Sequence, residues 1–65
     1  MQKWRQEFNV KVVLSGGNLG GVEHECDPVF IEGEAEIIVS DADGVEWKYL
    51  IRETDVTTAV FAGAV

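Results

Sequence analysis

The sequence predicts an all-β chain, a single small antiparallel meander of about five strands rolled into a curled sheet or small barrel. Three observations carry that reading. Apolar and polar residues alternate with period two along most of the chain, as on half-buried strands. β-Branched residues crowd the alternating runs. Short segments rich in Gly, Asp and Pro separate the runs and reverse the chain. With 65 residues, no internal repeat and no linker, residues 1–65 form one domain.

The first run sets Trp4, Gln6, Phe8, Val10, Val12 and Leu14 against Arg5, Glu7, Asn9, Lys11 and Val13. Its opening, residues 2–8, fits helix as well, because Trp4 and Phe8 stand four apart; the β-branched run after Phe8 fixes the rest as strand. Ser15 to Gly21 reads SGGNLGG, a permissive loop with Asn18 and Leu19 at its tip. A second run, Val22 to Asp27, pairs antiparallel with the first when Leu14 faces Val22, Val12 faces His24 and Val10 faces Cys26. Lys11 then meets Glu25 on the other face.

Pro28 has no backbone donor and marks a break or an edge. A third strand is expected from about Val29 to Ser40, with Ile31, Ala35, Ile37 and Val39 on one face and Glu32, Glu34 and Glu36 on the other. Gly33 is a candidate bulge, and the side taken by Phe30 depends on it. The SDADGVEW segment is the strongest local signal. A three-residue loop, Ala42-Asp43-Gly44, with Gly44 in the left-handed position pairs Val39 with Trp47, Ile37 with Tyr49 and Ala35 with Ile51, and sets Glu34 opposite Arg52. A two-residue Asp-Gly turn would send the core residues to the wrong face. A four-residue turn, Arg52 to Asp55, then leads into a last strand, Val56 to Val65, with Ile51 facing Val56, Tyr49 facing Thr58 and Trp47 facing Val60. That strand is apolar on both faces, so the sequence predicts a covering partner and makes Phe61 and Val65 candidate oligomer contacts.

Charge is unevenly placed. The net charge is -7, and the nine carboxylates from Glu23 to Glu46 meet no Lys or Arg within that stretch. A concentrated negative field favours basic proteins and cations and repels nucleic acid and anionic membrane. Glu32, Glu34 and Glu36 are the candidate partner-binding face. Same-face carboxylates recur about every 6.6 Å along a strand, close to two steps of about 3.4 Å along one DNA strand. An acidic mimic that occupies a basic nucleic-acid-binding cleft is therefore the alternative function. The acids also serve solubility.

Catalytic chemistry finds little footing. The single cysteine forms no intrachain disulfide, and His24 with Cys26 supplies two metal ligands where a tetrahedral site needs four. A small metal-binding protein built on that pair is the second alternative; a buried thiol beside a satisfied histidine is the structural reading. The glycine-rich loop lacks the Lys-Ser/Thr of a phosphate-binding loop. Asp41-Ala42-Asp43-Gly44 lacks the flanking ligands of a calcium loop, since Val39 and Leu50 stand where ligands would. No catalytic residue, metal or cofactor is assigned. No apolar run reaches the 18 residues of a membrane span, and no signal-peptide core opens the chain. The expectation is a cytoplasmic, non-catalytic interaction module, a homo-oligomer or a small inhibitory or accessory subunit, that binds protein and neither nucleic acid nor membrane.

Overall fold

Each alternating run becomes a strand in the computed structural model, which describes residues 9–65. The opening of the first run, read as strand or helix, lies outside the described residues. The strands are β1 (Val10–Ser15), β2 (Glu23–Cys26), β3 (Glu34–Ser40), β4 (Glu46–Arg52) and β5 (Asp55–Ala64). Among the described residues they form one curled, half-barrel sheet with no helix, in the order β2-β1-β5-β4-β3. No helix of the described residues is long and apolar enough to cross a membrane.

Alternation sorts the two faces. Val12, Leu14, Ala35, Ile37, Val39, Tyr49, Ile51 and Ala59 are buried on the concave side, and among the described residues no polar or charged side chain is buried with them. The register joins four of these into one row across β1, β5, β4 and β3: Leu14 pairs with Ala59, Ala59 with Ile51 and Ile51 with Ala35. Large and small side chains therefore alternate along the row, which lets the concave face close up without overpacking. Beside it, Tyr49 pairs with Ile37 and Phe61. Phe61 packs edge-on to Tyr49 at 5.5 Å between ring centroids and tilted against Trp47 at 5.6 Å, both within the favourable range for aromatic pairs.

Two hairpins form in the registers read from the sequence. Val10, Lys11 and Val12 face Cys26, Glu25 and His24. Val39, Ile37, Ala35 and Glu34 face Trp47, Tyr49, Ile51 and Arg52. The loop between β3 and β4 has three residues: Asp41 N–H donates to Val45 C=O at 2.9 Å, Gly44 N–H donates to Asp41 C=O at 3.0 Å, and Gly44 holds φ 81°. Asp41 further braces this turn by accepting at one carboxylate oxygen from the N–H groups of Asp43 and Val45.

The antiparallel meander is corrected in one respect. β1 and β5 run parallel, with Val13, Leu14 and Ser15 facing Thr58, Ala59 and Val60, and the successive strands β2 and β3 sit at opposite edges. The strand apolar on both faces gains most from two neighbours and takes the centre, whereas acid-rich strands keep their carboxylates hydrated at the edges.

The third strand is also shorter than expected. Ile31 and Glu34 exchange backbone hydrogen bonds of 2.8 and 3.2 Å around Glu32 (φ 54°) and Gly33 (φ 87°), a tight turn of the I′ kind. This leaves Ile31 70% exposed, removes Glu32 from the strand alternation and directs Phe30 against the core.

The β4–β5 register differs too. Ile51 faces Ala59, Tyr49 faces Phe61 and Trp47 faces Ala64, while Arg52 faces Asp55 across a turn of Glu53 and Thr54. Residues 56–58 have no partner on β4, and a second irregularity falls between Lys48 and Tyr49. Asp55 sets the first shift locally, accepting from Thr57 N–H at 3.1 Å and Thr57 Oγ1–H at 2.6 Å; the inward aromatic pairing of Phe61 sets it globally. At the other end of the sheet Leu19, expected at the exposed loop tip, packs against the core.

Glu32 and Gly44 both occupy left-handed backbone, but only one is a glycine, so substitutions should act with opposite signs. Glu32→Asn is expected to raise stability by about 0.5–1 kcal/mol, read as a higher chemical denaturation midpoint, since Asn tolerates that region better. Gly44→Ala should lower stability by about 1 kcal/mol, by conformation alone, as an added Cβ would meet nothing within 4 Å. An unchanged midpoint for Gly44→Ala would contradict the three-residue loop.

Candidate interaction surface

On the outer face, strand pairing lines up apolar side chains diagonally. Val60 faces Leu50 across β4 and β5. Val13 faces Thr58, two residues from Val60, and Ile38 lies two residues from Glu36, the partner of Leu50. Val13, Val60, Leu50 and Ile38 thus form a stripe over four strands, with neighbours at the diagonal spacing where side chains still touch. Val13 and Ile38 are each 44% exposed and Val60 53%, while Leu50 is half-buried. Where β5 parts from β4, a groove of about 270 Å³ opens beside the stripe, walled by Leu50, Thr58 and Val60 and closed at one end by Arg52 and Asp55.

Carboxylates rim this stripe. Glu23 and Glu25 alternate outward on β2 at one edge, and Glu34 and Glu36 do so on β3 at the other. Glu36 pairs with Lys48 at 3.5 Å and Glu34 with Arg52 at 3.9 Å, both exposed contacts that contribute little stability. Glu32, the third acid of the candidate face, stands in the turn before β3. The structure therefore brings Glu34 and Glu36 together, each with a cation, and sets Glu32 apart from their strand.

The two candidate oligomer contacts diverge. Phe61 turns inward to Trp47 and Tyr49 and is half-buried. Val65, just past β5, is 67% exposed. The outward position of the same strand belongs to Val60, whose prominence was hidden by the expected β4–β5 register.

His24 and Cys26 share the concave side of β2 and are half-buried. Among the described residues no three His, Cys, Asp or Glu side chains gather closely enough to hold a metal ion. Burial, and secondarily the Asp27 carboxylate, pushes the Cys26 thiol above its ordinary range. That favours the protonated, poorly nucleophilic form.

The glycine-rich loop serves packing. Tyr49, fully buried, donates its hydroxyl hydrogen to Gly16 C=O at 2.8 Å. A Cβ on Gly17 would sit 2.5 Å from the Phe61 ring, so only glycine lets the loop lie on that ring.

No protein-family model, curated protein or solved structure matches this chain.

One titratable group ties the rim to the core. Asp41 accepts from the Trp47 indole N–H at 2.9 Å, and this bond first, then the backbone N–H of Val45, holds its carboxyl below the ordinary carboxylate range. Asp55 is lowered likewise by Thr57. A lowered folded-state value means that the stabilisation is complete above the unfolded value of about 3.9 and is lost as pH falls through the folded one. The Trp47 indole N–H resonance should therefore titrate below pH about 3.9, and Asp41→Ala should remove that transition. Titration at or above the ordinary carboxylate value would show that the bond is absent.

Proposed function

We propose that this chain is a non-catalytic protein-interaction module whose outer sheet face binds a basic partner protein. The observation that carries the reading is the exposed Val13–Val60–Leu50–Ile38 stripe, apolar at its centre and flanked by acidic edge strands. Apolar centres with polar rims are the anatomy of protein interfaces. The groove beside Val60 offers a seat for one anchoring side chain, the kind of feature on which binding energy concentrates. The acidic rim supplies encounter rate and partner selection through a negative field.

The nucleic-acid mimic draws less support, because Lys48 and Arg52 each offset one carboxylate of the β3 pair and Glu32 stands apart in its turn. The role is non-catalytic in this reading: the outer face of the described residues offers contact, and burial keeps the Cys26 thiol in its protonated, poorly nucleophilic form. We place the chain in the cytoplasm, where its lone thiol, Cys26, stays reduced.

Affinity capture from cells that express the protein, with Val60→Asp as the paired bait, tests the reading. A basic protein should be retained by the wild type, released as salt rises through the range where surface charges are screened, and lost with Val60→Asp while circular dichroism stays unchanged. Identical captures by both baits, or no salt dependence, would refute it.

A further inference from the structure

The free edge of β3 carries a second message. Asp41 and Val45 close the β3–β4 hairpin through the hydrogen bond from Asp41 N–H to Val45 C=O. Counting back by twos, the bonded pairs are Val39 with Trp47, Ile37 with Tyr49 and Ala35 with Ile51. The backbone groups of Glu34, Glu36, Ile38 and Ser40 therefore point away from β4. Ile31 takes those of Glu34, at 2.8 and 3.2 Å. Past that bridge, no strand of the described residues pairs with this edge. Glu36, Ile38 and Ser40 present open donors and acceptors in a row.

Edge strands are ordinarily guarded by charged side chains, lysine above all, or by proline, a bulge or shortness; the one charge among the open positions of β3, Glu36, is paired with Lys48 of its own sheet. β3 has seven residues, no Pro, no Lys and an unbroken register with β4, and its central outward side chain is Ile38, 44% exposed. We propose that β3 pairs antiparallel with β3 of a second copy of this chain, about a two-fold axis at Ile38. In that register Ile38 meets Ile38 of the other copy and Glu36 meets Ser40, so every open group is used, in about six backbone hydrogen bonds. Each Glu36 keeps its own Lys48.

Charge and backbone availability select this arrangement. Centring the pair on Glu36 sets carboxylate against carboxylate. Centring it on Ile37 sets Ser40 against Glu34, whose groups Ile31 already holds. The other edge, β2, carries Glu23 and Glu25, so pairing it with itself or with β3 opposes acids. Ile38 is also the end of the outer stripe, which becomes continuous across both copies. Pairing at this edge leaves the outer face free and does not depend on its partner.

Sedimentation equilibrium of the full chain, under reducing conditions that exclude a Cys26 disulfide, tests it. Wild type should show a concentration-dependent dimer. Ser40→Lys, which places a cation opposite Glu36 of the other copy, should tighten it about five-fold. Ser40→Glu and Ile38→Lys should weaken it by at least that factor while leaving the folded spectrum unchanged, since both positions are exposed. A monomer at millimolar concentration would overturn the proposal, as would equal effects of Ser40→Lys and Ser40→Glu, or a dimer lost with Val60→Asp and indifferent to Ile38→Lys.

Discussion

The packing of Leu14, Ala59, Ile51 and Ala35 across four strands is the constraint from which the rest of the structure follows. A one-layer sheet of this size can build a core only by curling, and the inside of a curl has less room per residue than the outside. Alanine at two alternate points of the row supplies that room. A larger side chain at either point would overpack the row, which costs about 1–3 kcal/mol in a filled interior. Ala59 has a further role, because it sits between β1 and β4 and so fixes the parallel β1–β5 pairing that joins the two hairpins into one sheet.

Once β5 holds the centre, the surface is largely determined. Its inward residues, Ala59 and Phe61, complete the core with Leu14, Tyr49 and Trp47, and its outward Val60 is left on the convex side. The acid-rich strands fall at the edges, where carboxylates remain hydrated. An apolar outer stripe with an acidic rim is thus a consequence of building a small core from a single layer. The convex stripe leaves apolar side chains exposed, and the outer edge of β3 has no neighbouring strand among the described residues.

The hairpins were legible in the sequence because each is set by local information. Gly44 fixes the loop length, and only one register keeps Val39, Ile37 and Ala35 opposite apolar partners. The last strand was less legible. Its two faces are both apolar, so alternation alone does not say which residues turn inward, and a register with Val56 and Val60 inside satisfies the pattern as well. The deciding facts are non-local: the fit of alanine beside Leu14 and the edge-on and tilted packing of Phe61 against Tyr49 and Trp47. Ile31 misled for a related reason, since the turn beside it puts a glutamate in left-handed backbone, a conformation this residue type seldom signals. The acidic character of the surface could be read directly; its division between two distant edges required the strand order.

The fold rests on the parallel union of β1 and β5, which nuclear Overhauser contacts between backbone protons report. Contacts linking Leu14 with Ala59 and Val13 with Thr58, in the pattern of parallel strands and without contacts between β2 and β3, are the predicted result. Backbone contacts between β2 and β3, with none between β1 and β5, would restore the simple meander and rule out the parallel pairing.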